Sequence, residues 1–311
     1  MLLPPRLRPG DTIGVITPSA PISASPSPEP MKELERGMSY LSDLGFKVVL
    51  GEHAMKEDGY SAGTAQERAH DINAMFADKG VHAIISSHGG NVVNSCLEYL
   101  DWNVIRQNPK ILMGFSDLTV LLLAIYRKVR LVTFHGNMVI WHFGMSPTDY
   151  DRQEFLDRLV HGQIGAVRKN SEWKTIRGTG TVEGRLLGGH FGQLTLLFGT
   201  PYWPIVAETI LFLEFTEYWP EVLEARFQHM RQMGIFEKVR GVVIGHLASA
   251  PKEQEYQAEE LLRKVTSESD FPILRTDDFG HQCPNTVLPV GVRARLDADK
   301  AELEILEPCV Q

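Results

Sequence analysis

The run Lys110-Ile-Leu-Met-Gly-Phe-Ser-Asp-Leu-Thr-Val-Leu-Leu-Leu-Ala-Ile-Tyr-Arg127 passes from an apolar strand through a glycine–serine corner into an apolar helix. A buried strand followed at once by a buried helix is the repeating unit of a sheet whose parallel strands are joined by helices. The same alternation continues on either side. Thr12-Ile-Gly-Val-Ile-Thr-Pro18 reads as a first strand, stopped by a Ser/Pro-rich loop that runs to Pro30. Met31 to Leu44 has helical spacing, and Phe46 to Leu50 reads as a second strand. Thr64-Ala-Gln-Glu67 is a capping box: the threonine oxygen can accept from the Glu67 amide while the glutamate reaches back. Behind it Ala65, Ala69, Ile72, Met75 and Phe76 fall on one helical face. Val81 to Ser87 reads as a buried strand, and Val129 to Phe134 as another. The expectation is an α/β protein with a mostly parallel sheet covered on both faces.

With 311 residues the chain has the length of about two domains. The alternation breaks down between Val160 and Gly184, where His161-Gly-Gln-Ile-Gly and Gly178-Thr-Gly180 bracket a polar, basic stretch. This places a first domain at 1–165, a linker at 166–180 and a second domain at 181–311. In the second half, Thr209 to Glu214 and Gly241 to Leu247 read as strands, and Pro220 to Met233 and Gln257 to Val265 as helices. Val287 to Val292 and Leu303 to Leu306 flank a charged turn and are expected to close the chain as antiparallel strands.

Composition excludes several functions. Hydrophobic residues make up 43% and charged ones 23%, as in ordinary globular proteins. A net charge of -8 argues against a general nucleic-acid or anionic-membrane binder. No apolar run approaches the length of a membrane span, and Met1 to Gly10 lacks the apolar core of a signal peptide, so a cytoplasmic protein is expected. Cys96, Cys283 and Cys309 are odd in number and far apart, which suits neither a disulfide framework nor a cysteine zinc site. Gly178-Thr-Gly-Thr-Val-Glu183 misses the third glycine of a dinucleotide fingerprint, and no Gly-Lys dipeptide or His-Glu-x-x-His helix occurs. None of the eleven histidines pairs with a carboxylate at metal-ligand spacing. Neither a cofactor nor a metal is expected.

Ser116 remains, at the corner between strand and helix. Such a corner projects a hydroxyl at the carboxyl edge of a parallel sheet, where helix N–H groups favour a developing oxyanion. On local sequence alone a helix N-cap is the commoner role for such a serine. A second glycine turn, His88-Gly-Gly-Asn91, ends another strand and lets backbone N–H groups approach a ligand closely. Glu214 ends the apolar strand Ile210 to Leu213, and His281 sits in the loop Asp278-Phe-Gly-His-Gln-Cys-Pro-Asn285. Ser116, His281 and Glu214 could act as nucleophile, base and orienting carboxylate.

Several motifs together resemble the LD-carboxypeptidase family. They are Gly59-Tyr-Ser-Ala-Gly-Thr64 with Glu67-Arg68, Gly89-Gly90 with Asn94-Ser95 and Tyr99-Leu-Asp101, and Asn108-Pro-Lys110. Further along come Gly114-Phe-Ser-Asp117, Thr133-Phe-His-Gly136, Glu183-Gly-Arg-Leu-Leu-Gly-Gly189 and Phe279-Gly-His281. The family comprises murein-recycling carboxypeptidases and microcin-immunity peptidases. The resemblance implies a flavodoxin-like first domain, as in class I amidotransferases, and a smaller swivelling β/β/α second domain. It implies a serine hydrolase with a Ser116–Glu214–His281 triad, an oxyanion hole from Asp117 and the Gly89–Gly90 turn, and a homodimer. The His88-Gly-Gly-Asn91 turn is similar to the immunity branch, whose substrates are aminoacyl-nucleotide or peptidyl amides; murein tetrapeptide cleavage is the alternative. Glu217 competes with Glu214 for the role of triad acid, and Phe215, where the family usually has Asp, is the support for an inactive binding homologue. Asn91, His135 and Trp173 are candidate pocket residues, Trp173 as a stacking partner for a nucleobase.

Overall fold

The structure, a computed structural model, describes residues 1–204, 206–216, 219–248, 252–282 and 284–311, with the side chains of 252–257 left aside. Five strands come from the first half: β1 (Thr12–Ile16), β2 (Lys47–Leu50), β3 (Ala83–Ser86), β4 (Ile111–Gly114) and β5 (Thr133–His135). They lie parallel in the order β5-β4-β3-β1-β2, which is the flavodoxin-like order. β3, β4 and β5 are buried at every position, as expected for parallel strands covered on both faces. The capping box of helix Ala65–Ala77 forms: Thr64 Oγ1 accepts from the Glu67 amide at 3.2 Å, and Glu67 Oε2 accepts from the Thr64 amide at 2.9 Å. The strand expected at Val129 to Phe134 begins later, at Thr133, because helix Leu118–Val129 runs up to a left-handed Arg130 (φ 61°).

The remaining strands are β6 (Gly165–Ala166), β7 (Lys174–Arg177), β8 (Thr181–His190), β9 (Thr209–Phe215), β10 (Val239–Leu247), β11 (Ile273–Arg275), β12 (Leu288–Val290), β13 (Arg293–Asp297) and β14 (Glu302–Ile305). All but β12 form a second, mixed sheet, ordered β6-β14-β13-β8-β9-β10-β11-β7. Its centre, β8 to β11, is parallel, and both margins are antiparallel. Within the stretch 166–180, β7 hydrogen-bonds antiparallel to β11. One expectation is corrected here. Leu303 to Leu306 pairs with β13 rather than with the strand at Val287 to Val292. That earlier strand, β12, returns to the first sheet and pairs antiparallel with β5, Leu288 opposite His135 and Val290 opposite Thr133. Pro289 is tolerated there because β12 is an edge strand.

The two sheets meet across helix Leu118–Val129, which is buried from Leu118 through Tyr126. A helix apolar on all sides suits a core position between layers. Gly189 of β8 lies directly against it: a Cβ there would stand 2.5 Å from Thr119 Oγ1, and the next amide, of His190, donates to that oxygen at 2.9 Å. Among the described residues no helix is long and apolar enough to cross a membrane, and Cys96 and Cys309 are free and buried.

Candidate active site

The carboxyl ends of β3, β4, β8 and β9 converge at this junction. Ser116 follows β4 in the left-handed region (φ 59°), a conformation that costs an L-residue about 1–2 kcal/mol. The helix N-cap is Asp117, with no side-chain cap bond. The N-cap reading of Ser116 therefore fails, and its half-buried hydroxyl is turned elsewhere. His281 Nε2 lies 3.0 Å from Ser116 Oγ, and His281 Nδ1 lies 2.8 Å from Glu214 Oε2. The three residues singled out in the sequence are thus joined in one hydrogen-bonded line, 165 and 67 residues apart along the chain. Glu217 lies outside the described residues. Phe215 is fully buried, its ring against Phe191 and Phe227. It fills the core and does not interrupt that hydrogen-bonded line.

Glu214 is wholly buried. Burial alone would push its carboxyl up, but the His281, His190 and His135 imidazoles together hold it down at about 2, so it is an anion at neutral pH. The loop bearing His281 is tied at several points. The Gly280 amide donates to Asn285 Oδ1 at 2.9 Å, the Asn285 amide to Asp151 Oδ1 at 2.9 Å, and the His246 amide to the Phe279 carbonyl at 2.9 Å. From the first domain, His142 Nε2 lies 2.9 Å from the Gln282 carbonyl. Burial pushes the His142 imidazole down to about 4. It is therefore neutral near pH 7 and donates through Nε2–H.

The Gly89–Gly90 turn closes over Ser116. A Cβ built on Gly89 would stand 2.9 Å from Ser116 Oγ and 3.7 Å from the Asp117 nitrogen. Among the described residues no group accepts the Asp117 N–H, which stands beside the serine at the start of the helix. The Asp117 carboxylate faces inward: it accepts from Ser19 Oγ and, at 2.9 Å, from the Val93 amide. Gly90 (φ 153°) presses on Ser19, with no room for a Cβ beside Ser19 Oγ. Burial pushes the Asp117 carboxyl up, against the pull of these hydrogen bonds.

A cavity of about 370 Å³ opens beside Ser116, and Asn91, Gly89, Gly90 and His281 line it. Asn91 is held from the second domain by Gln193 Nε2, 2.8 Å from its Oδ1. Two expected pocket residues are absent from the lining. His135 is fully buried beneath the site among Phe115, Phe212 and Phe279, and burial pushes its imidazole down to about 4. Trp173 is also buried, and its indole donates to Asp278 Oδ2 at 2.7 Å, joining the Asn170 and Ser171 amides on that carboxylate. It anchors the base of the His281 loop instead. The cavity is lined instead by Phe115 and Trp141, the latter hidden in the sequence by its place in the largely apolar run Met138 to Phe143. A larger cavity, about 510 Å³, lies by Arg231, Arg240 and Asp270 and contains none of these residues.

Sequence spacing also hid His190, which is opposite Glu214 in the β8–β9 register. A ligand atom from each of His190, Glu214 and His281 lies within 4.8 Å of the others. Both His190 nitrogens are engaged, Nδ1 with the Gln193 amide at 3.2 Å and Nε2 with Thr216 Oγ1 at 2.7 Å. The ring stands 5.2 Å from that of His281, a buttress for the imidazole.

Known proteins share this arrangement of the chain. Residues 13–136 match the LD-carboxypeptidase N-terminal domain, and residues 183–296 match the LD-carboxypeptidase C-terminal domain. The microcin C7 self-immunity protein MccF of Escherichia coli is 32% identical over 98% of this chain and 96% of its own length. A probable murein peptide carboxypeptidase of Bacillus subtilis is 29% identical over 94% of this chain and 91% of its own. The solved structure of MccF in complex with aspartyl sulfamoyl adenosine has a TM-score of 0.90 at 31% identity and covers 100% of both chains. With both halves matched in order and the likeness running end to end, the chain belongs to the LD-carboxypeptidase family and is a serine peptidase.

Proposed function

We propose that Ser116, His281 and Glu214 form the catalytic triad of an amide hydrolase whose substrate carries an acidic or carboxylate-bearing group beside the scissile bond. The observation that carries this reading is the hydrogen-bonded line Ser116–His281–Glu214, at 3.0 and 2.8 Å, beside an Asp117 N–H that no group among the described residues accepts. His281 Nε2 takes the hydroxyl proton as Ser116 Oγ attacks the carbonyl carbon. The Asp117 amide and an amide of the Gly89–Gly90 turn receive the oxyanion. His281 then passes its proton to the leaving nitrogen, the C–N bond breaks, and an acyl-enzyme ester remains. Water, deprotonated by the same imidazole, hydrolyses that ester and frees Ser116. Glu214 stays ionised throughout, keeps His281 in the tautomer with Nδ1–H, and stabilises the imidazolium.

The choice of an aminoacyl-nucleotide amide rests on the immunity-type relative and on the MccF structure that holds aspartyl sulfamoyl adenosine. The Bacillus subtilis relative supports a murein tetrapeptide instead. Wild type and Ser116→Ala are to be compared on aspartyl sulfamoyl adenosine and on a murein tetrapeptide. Cleavage of the aspartyl amide, reduced on the order of 10⁴ to 10⁶ in the variant, is the expected result. Release of D-alanine from the tetrapeptide alone would move the protein to murein recycling. Near-wild-type turnover by Ser116→Ala would remove the serine from its role, and silence on both substrates would favour an inactive binding homologue.

A further inference from the structure

The Gly89–Gly90 turn is placed by its neighbours. Among the described residues no group accepts the amide of Gly89 or of Gly90, so the turn's own N–H groups anchor nothing. What grips it lies just beyond. The Val92 amide donates to Ser19 Oγ at 3.1 Å, and the Val93 amide donates to Asp117 Oδ2 at 2.9 Å. Ser19 Oγ donates to that same Asp117 oxygen. One hydroxyl and one carboxyl oxygen therefore tie the glycine turn to the corner that carries Ser116.

This tie is buried and itself held. Ser19 and Asp117 are both buried, and the Ser19 carbonyl accepts from the Ala62 amide at 2.9 Å. Gly90 lies against Ser19: a Cβ there would stand 2.8 Å from Ser19 Cβ and 2.7 Å from the Ala20 nitrogen. Asp117 acts at both ends. Its N–H stands beside Ser116, while its side chain reaches across to the segment that follows the turn. Donors for an oxyanion work only when they are in place before the charge develops, and a misplacement of about 1 Å can cost 10²-fold.

We propose that Ser19 and the Asp117 side chain are positioning residues for the hydrolysis. Together they fix the glycine turn against the start of helix Leu118–Val129 and so set the separation of the two N–H groups that receive the oxyanion. Both side chains act through the backbone. The proposal rests on Ser116 being the nucleophile and on these amides being the oxyanion donors.

Two reagents separate this role from a merely structural one. A biotinylated fluorophosphonate forms the Ser116 Oγ–P bond with loss of fluoride, as His281 takes the hydroxyl proton. Its phosphoryl oxygen gains negative charge and needs the donors. Methyl 4-nitrobenzenesulfonate instead methylates His281 Nε2 by direct displacement, the N–C bond forming as the sulfonate leaves, and makes no demand on the donors. Both rates are read by mass, with the methylated histidine located by peptide mapping. Ser19→Ala is expected to slow phosphonylation by about 10- to 100-fold, a large part of what loss of a whole donor costs. Methylation of His281 should keep its wild-type rate. Asp117→Ala should slow phosphonylation likewise, and Asp117→Asn, whose amide oxygen can serve both Ser19 and Val93, should recover most of that loss. Wild-type phosphonylation in Ser19→Ala would overturn the proposal. So would both reactions slowing together, which would make the pair a scaffold for the whole site, and so would Asp117→Asn reacting no faster than Asp117→Ala. Failure of the fluorophosphonate to label wild-type Ser116 would sink the serine reading and this proposal with it, whereas labelling indifferent to Ser19 and Asp117 sinks the positioning role alone.

Discussion

Gly89→Ala isolates the closeness of the glycine turn to Ser116. The added methyl would stand 2.9 Å from Ser116 Oγ and 3.0 Å from Ser116 Cβ, nearer than carbon and oxygen pack without repulsion. Gly89 does not have positive φ, unlike Gly90, so alanine is compatible with the backbone and the clash is confined to the serine. Relief requires Ser116 to move away from the turn, which disturbs its 3.0 Å contact with His281 Nε2. The same methyl stands 3.7 Å from the Asp117 nitrogen and obstructs the place where the proposed mechanism puts the oxyanion. Losing one oxyanion donor costs about 10² to 10³ in turnover, and a displaced nucleophile adds to it, so kcat should fall by at least about 10². The assay is steady-state hydrolysis of whichever substrate the wild type cleaves, alongside the thermal midpoint. A midpoint within a few °C of wild type is expected, since the clash is confined to one half-buried side chain beside an open cavity. Wild-type kcat in a folded Gly89→Ala protein would refute the placement of the turn against the serine.

Glu214→Gln should lower kcat by on the order of 10⁴, because a neutral amide leaves His281 in the wrong tautomer, while Glu217→Gln should be nearly silent; the reverse ranking would reassign the triad acid. The depressed Glu214 carboxyl also predicts acid sensitivity. Its stabilising contribution is complete above the ordinary value of 4.5 and is lost as pH falls from there through about 2, so Glu214→Gln should flatten the stability profile in that window. Glu154 has the opposite sign. Burial pushes its carboxyl up to about 7, so the folded protein keeps a proton that the unfolded chain releases, and stability declines as pH rises from 4.5 through about 7. Glu154→Gln should remove that decline, and parallel melting curves for both proteins at pH 5 and pH 8 would contradict it.

The parts of the fold legible in the sequence are those with one strong local signal. The strand–corner–helix at Lys110 to Arg127 and the capping box at Thr64 needed no partner to be read. Ser116, Glu214 and His281 were readable because each ends a strand or occupies a turn-rich loop, where side chains converge at a sheet edge. What was missed depends on pairing across the chain. β8 runs through three glycines, which lower strand propensity, and one of them is there because Thr119 fills the space of its Cβ. Trp173 and Trp141 are the same residue type with opposite fates: Asp278, 105 residues downstream, captures one indole, while a short turn presents the other to the cavity. His190 was invisible as a neighbour of Glu214 because only the β8–β9 register brings them together.

The return of β12 to the first sheet governs how the molecule can be made. Residues 1–165 reach the ribosome exit long before Leu288, so for about half of synthesis β5 is an open edge with unpaired N–H and C=O groups, a template for pairing with other chains. The first domain becomes complete only after nearly the whole of the second has been translated. The two halves therefore cannot be exchanged between relatives as cassettes cut at the 166–180 stretch. A gene split there would yield a first half lacking its last strand and a second half bearing a stray one, joined again only if the two fragments meet.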